Sequence, residues 1–164
     1  MAYGARMEYD SDIVRKLVDG IRYATYGAHP PRHVYMALVT AIHGMSDWEL
    51  LGSVVESDAG TRWELVCFTD SSLVTLEAES QTQQWAMEES GEGEVPQLLS
   101  TYRCKRSALR AVEVTGVVPG TGTWAAHEWR AQYTLHFDDG RTFRLDEPRR
   151  DEGQETLATL VTSM

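Results

Sequence analysis

The stretch 128–146, EWRAQYTLHFDDGRTFRLD, sets Trp129, Ala131, Tyr133, Leu135 and Phe137 at every second position with polar residues between most of them. A period of two held over a strand length marks a sheet with one buried face. Phe143 and Leu145 resume the alternation beyond Asp138-Asp139-Gly140. A two-residue turn at Asp139-Gly140 would set Leu135 opposite Arg144 and Phe137 opposite Thr142, apolar against polar. A three-residue loop over 138–140 sets Leu135 opposite Phe143 and Tyr133 opposite Leu145, and directly paired residues share a face. Such a loop ends in a left-handed position that favours glycine, and Gly140 stands there. The pattern therefore predicts a hairpin with the three-residue loop.

Earlier in the chain the period changes. Ile13, Leu17 and Ile21 recur every fourth residue with Val14 and Val18 beside them, which predicts a helix over 11–27, capped by Ser11 or Asp12 and closed by Gly27. Residues 28–33, AHPPRH, break it, and Pro31 suits the first position of a second helix whose face carries Val34, Leu38 and Ile42, ending at Gly44. Residues 46–56 fit either state. Ser46 with Glu49 has the form of a capping box, but the turn at 57–60 wants an arm before it, and we assign a strand to 50–56. Strands follow at 61–69, with Trp63, Leu65 and Cys67 on one face and Val66 and Phe68 on the other, and at 73–79. Residues 80–97 read as a long acidic loop anchored by Trp85. Strands at 98–105 and 109–118 are separated by Arg106-Ser107-Ala108, and 119–123 is a glycine-rich loop. Leu157, Leu160, Val161 and Met164 at helical spacing predict an amphipathic C-terminal helix over 151–164.

The order predicts an α+β fold: a helical extension over 1–46, then an antiparallel curled sheet or barrel of about seven strands over 47–164, closed by the C-terminal helix. The segments GTRWELVCFTDSSLVTLEAE (60–79), SALRAVEVTGV (107–117) and YTLHFDDGRTFRL (133–145), with the last helix, resemble the pleckstrin-homology-like superfold, including its bacterial and GRAM-type members. The resemblance spans residues 50–164 and lies in the pattern of strands, not in a motif. It implies binding of phosphoinositides, phosphopeptides or other proteins. Phosphoinositide binders of that kind carry several Lys/Arg around the first strand-to-strand loop. Here that loop, Ser57 to Arg62, holds one base and one acid, which departs from the lipid-binding pattern. The N-terminal helices also suit a cone-shaped barrel of the nuclear-transport-factor-2-like kind, which would enclose a small-molecule pocket.

Charge narrows the partners. The chain of 164 residues carries a formal −10. Residues 1–46 are nearly neutral at +1, and residues 47–164 carry −11. An acidic body repels phosphate polyanions and anionic lipid, so nucleic acid and membrane surfaces are disfavoured. No apolar run approaches the ~20 residues of a membrane span. The first residues lack the apolar core of a secretory signal, so a cytosolic location is expected. Cys67 and Cys104 both fall in predicted strands and are expected as buried free thiols.

The chain shows no GxSxG, CxxC or Walker pattern, and we expect no catalysis and no cofactor or metal. His29, His33 and His43 lack a zinc motif, and Glu88, Glu89, Glu92 and Glu94 lie in a glycine-interrupted loop that suits solvation better than calcium or acid–base work. Two basic clusters, Arg103, Lys105, Arg106 and Arg110, then Arg141, Arg144, Arg149 and Arg150, are candidates to hold an anion or an acidic segment if they converge. Two isolated helices of this length are marginal in water, so Leu17, Ile21, Leu38 and Ile42 must be buried against something: the outside of the chain's own barrel, a second copy in a two-fold dimer, or a partner protein. The expectation is a non-catalytic, cytosolic interaction module. The alternatives are a small-molecule barrel and an acidic inhibitor or immunity protein.

Overall fold

The computed structural model describes residues 10–25, 27–81, 97–119, 129–146 and Leu160. Helix α1 (Ser11–Ala24) is capped by Asp10, whose Oδ1 accepts from the Asp12 N–H, rather than by Ser11 or Asp12 themselves. Helix α2 (Arg32–Ala41) starts behind Pro31 and ends before Gly44, with Ile42 as its C-cap. The strands follow as β1 (Glu49–Ser57), β2 (Gly60–Phe68), β3 (Ser72–Ser80), β4 (Leu98–Lys105), β5 (Leu109–Pro119), β6 (Trp129–Phe137) and β7 (Thr142–Asp146). The ambiguous stretch before residue 57 is thus a strand. The final hairpin takes the predicted register, with Leu135 opposite Phe143, Tyr133 opposite Leu145, and Gly140 left-handed at φ +84.

The seven strands do not form the single curled barrel expected from the sequence, nor is such a sheet seen closed by a C-terminal helix. They divide into a four-stranded sheet, β1-β2-β3-β4, and a three-stranded sheet, β5-β6-β7, both antiparallel. The division falls at Arg106–Ala108, a 3-10 turn between β4 and β5. The Arg106 N–H donates to Ser71 O and its guanidinium to Thr69 O, which ties the turn back to the β2–β3 end. The chain therefore leaves the first sheet at this corner and β5 begins a second one. Both described helices are N-terminal. Residues 151–164, expected to form the closing helix, lie outside the described residues except Leu160, which is buried between the sheets with Leu51, Val66 and Phe68.

The result is three layers. In β2 the side chains of Trp63, Leu65 and Cys67 face α1 and α2, and those of Val66 and Phe68 face the second sheet. The β6–β7 hairpin crosses the first sheet and is pinned at both ends. At its turn Tyr102 of β4 donates to Asp139 Oδ2 at 3.0 Å, and at its open end the Asp146 N–H donates to Glu64 of β2 at 2.8 Å. Gly60 is forced by contact: at φ +129 a Cβ there would stand 1.9 Å from Ser80 O.

Leu17, Ile21, Leu38 and Ile42, the residues singled out for self-association, are all buried in the layer between the helices and the first sheet. Their apolar surface is covered by this chain itself. Leu17→Ala and Leu38→Ala should each lower stability by about 2–5 kcal/mol in urea denaturation, as buried leucines do. An unchanged midpoint would show that the helices lie outside the core.

Candidate functional site

The first basic cluster is split by the alternation of β4. Arg103 reaches the helix layer, where its Nη1 donates to Ala41 O and His43 O and satisfies carbonyls at the end of α2. Arg106 is buried over the Phe68 ring, 5.0 Å from its centroid, with Asp70 at 4.0 Å. Arg103 and Arg106 do meet at the edge of a cavity of about 350 Å³, but Asp47, Glu49 and Asp70 line it as well. Lys105 and Arg110 are exposed and line none of the cavities described here. In the second cluster Arg141 lies 4.2 Å over the Tyr102 ring, on the opposite face of β4 from Arg103, and pairs with Asp139. Arg144 pairs with Asp146. Arg149 and Arg150 lie outside the described residues. Among the described residues these side chains are therefore not gathered into a single anion site.

The Asp139 knot follows from the hairpin loop. The Arg141 N–H donates to Asp139 Oδ1 at 2.9 Å, and this bond holds the carboxyl below the ordinary aspartate value, helped by Tyr102 and the Arg141 charge. The hydrogen bond to Asp139 in turn pushes the Tyr102 hydroxyl up.

Glu64 is a carboxylate at 0% exposure within the run Trp63–Phe68. Its Oε2 accepts from the Ser53 hydroxyl at 2.9 Å and from the Asp146 N–H, so one oxygen joins β1, β2 and β7. Arg62 Nε stands 2.9 Å from Oε1, yet its N–H is not aimed at that oxygen, and neither atom has a hydrogen bond. The contact is one of charges. Arg62 also reaches Glu77 at 2.6 Å. Burial raises the Glu64 carboxyl above its usual value, opposed by the Asp146 N–H, the Ser53 hydroxyl and Arg62. Ser53 and Asp146 open onto a cavity of about 470 Å³ at the β1 edge, walled by Thr25, Val55 and Gln132.

A more apolar cavity of about 580 Å³ lies between the start of α1, the end of α2 and the connection to β1. Val39 and Ile42 form its buried floor, with Ile13, Met45 and Trp48 as walls and Asp10, Lys16, His43 and Asp47 among its polar lining. Left-handed Gly44 (φ +78) and Asp47 (φ +53) turn the connection back over the helices. The Trp48 ring rests against Gly20, where a Cβ would stand 3.6 Å away, and Lys16 Nζ lies over its face at 5.0 Å. Lys16 and Gly20 are four apart on one helix face, so a single turn of α1 seats both edge and face of the indole.

His29, His33 and His43 do not converge: His33 opens α2 and His43 follows its end, a separation of about 15 Å at helical rise. Among the described residues no group of three or more His, Cys, Asp or Glu side chains is placed to hold a metal ion. Cys67 is buried and its thiol is pushed up to about 12, chiefly by burial; Cys104 is half-buried and both are free. Residues 82–96 of the acidic loop, with Trp85, and residues 120–123 of the glycine-rich loop lie outside the described residues. Sequence reasoning passed over Glu64, Lys16 and Asp47. Only Glu64 left a signal, as the lone charge inside WELVCF.

No family model matches the chain, and no curated protein or solved structure matches it either. Among the described residues no helix is long and apolar enough to cross a membrane.

A carboxyl whose pKa is raised by folding adds stability below the usual glutamate range and loses it as pH rises through the raised value. Glu64→Gln should therefore gain on the parent protein, in urea midpoint, as pH is taken from about 4 to about 8. A difference flat with pH would mean that Glu64 titrates as it does unfolded. Glu64→Ala leaves the Ser53 hydroxyl and the Asp146 N–H without their acceptor and should cost about 1–3 kcal/mol.

Proposed function

We propose that the chain is a non-catalytic protein-binding module that presents an acidic surface to a basic partner. One observation carries the reading: among the described residues most arginines are engaged by the chain itself, while Arg32, Lys105 and Arg110 stay exposed. Arg15 pairs with Asp12, Arg62 with Glu64 and Glu77, Arg141 with Asp139 and Arg144 with Asp146. Arg103 is held by helix carbonyls, and Arg106 by Thr69 O. Asp19, Asp47, Glu49, Glu56, Asp58 and Asp138 remain exposed. With a net charge of −10, the surface field is that of the carboxylates.

The perturbed titratable groups support the same reading, because each has structural work. Glu64 joins the sheets, Asp139 and Tyr102 clamp the hairpin, and Cys67 packs in the core. None is paired with a base in the manner of an activated nucleophile.

The test is a pull-down with the whole chain, followed by calorimetry on the recovered partner. Affinity should fall about tenfold or more between about 0.05 M and 0.3 M salt. An affinity indifferent to salt, or steady turnover of a small molecule, would overturn the proposal.

A further inference from the structure

The cavity between α1, α2 and the connection to β1 joins an apolar interior to a rim that carries Asp10 and Asp47 beside Lys16 and His43. Val39 and Ile42 close its floor, and Ile13, 45% exposed, stands at its wall with side chain open to solvent. Asp10 and Asp47 are both exposed at its lining. Lys16 lays its ammonium over the Trp48 face, so one lysine stands against the two carboxylates of the rim.

We infer that this cavity is the anchor point for the basic partner. It takes an apolar side chain of a partner segment whose flanking Lys or Arg side chains pair with Asp10 and Asp47. The inference rests on the reading of the chain as a module for a basic partner and adds to it where the partner is gripped and by what chemistry. Charge complementarity selects this occupant. The two rim carboxylates outnumber Lys16 on a chain of net −10, so a basic segment gains over an acidic one at long range and, by a smaller margin, at the rim. A buried apolar anchor ringed by polar contacts is also how compact interfaces concentrate their binding energy.

The probe is an array of short Lys/Arg-rich peptides in which one central residue is varied, measured at low salt against the whole chain. Central Leu, Ile, Met or Phe should bind about tenfold or more tighter than central Gly. Ile13→Glu should erase that preference while leaving the weaker, salt-dependent binding in place. Asp47→Asn keeps a residue that tolerates the left-handed backbone and removes only the charge, so it should weaken every basic peptide about two- to fivefold. Circular dichroism on both variants checks that they remain folded, and Asp47→Asn carries the test alone if Ile13→Glu does not. Basic peptides that bind without regard to the central residue, or equally well to Ile13→Glu, would sink the anchor site and leave the acidic-surface reading standing. If no basic peptide binds at low salt, both readings fall. A protein that is dimeric as isolated and becomes monomeric with Ile13→Glu has a second copy in the cavity, which also overturns the inference.

Discussion

Every residue from Trp63 to Phe68 in β2 is buried, and a strand buried on both faces needs a layer on each side. The helices supply one layer and the β5-β6-β7 sheet the other. At about 25 cal/mol per Å² of apolar area, neither face of such a strand could be left to water without a large share of the fold's stability. The N-terminal helices are therefore not an appendage to a sheet domain. Residues 11–42 and β2–β3 share one core, with Leu17, Leu38, Trp63, Leu65 and Leu76 in a single cluster.

Glu64 interrupts that burial with a charge, and much of the second sheet's placement follows from it. An isolated carboxylate there would be costly, so Ser53 must be beside it on β1 and the Asp146 N–H must arrive from β7. That fixes one end of the β6–β7 hairpin. The other end is fixed by Tyr102 and Asp139, with Arg141 stacked on the same ring. Between these two polar pins the interface is apolar, with Leu51, Val66, Leu135 and Leu145. Polar ends and an apolar middle set the crossing of the two layers more narrowly than apolar packing alone, because hydrogen bonds tolerate little displacement.

Alternation and turn chemistry made the strands legible. Facing pairs chose the register of the last hairpin, Gly140 chose its loop, and Arg106-Ser107-Ala108 stood out as the break between β4 and β5. The pattern does not say whether two neighbouring strands share one sheet. That depends on the backbone path at 106–108, set by contacts of Arg106 to Ser71 and Thr69 some thirty-five residues away in sequence. The cavity beside α1 was illegible for the same reason. Asp10, Lys16, Ile42, Asp47 and Trp48 meet only after two helices have docked on a sheet. Whether the basic clusters converge was likewise not legible, because successive side chains along a strand go to opposite faces, which is where Tyr102 with Arg141 and Arg103 are found.

The use of arginine connects this architecture to the surface it leaves. Arg103 closes the end of α2, Arg106 fixes the corner between sheets, Arg62 faces the buried Glu64, and Arg141 stacks on the ring that clamps the hairpin. Each is a structural use of a planar, always-charged group that can donate several bonds at once. Only Arg106 of these is buried; Arg103 and Arg141 hold their contacts at the surface, where they still offset part of the negative charge. The acidity of the exterior follows from composition, 25 Asp and Glu against 15 Lys and Arg, since solvation lets most carboxylates stay outside at little cost.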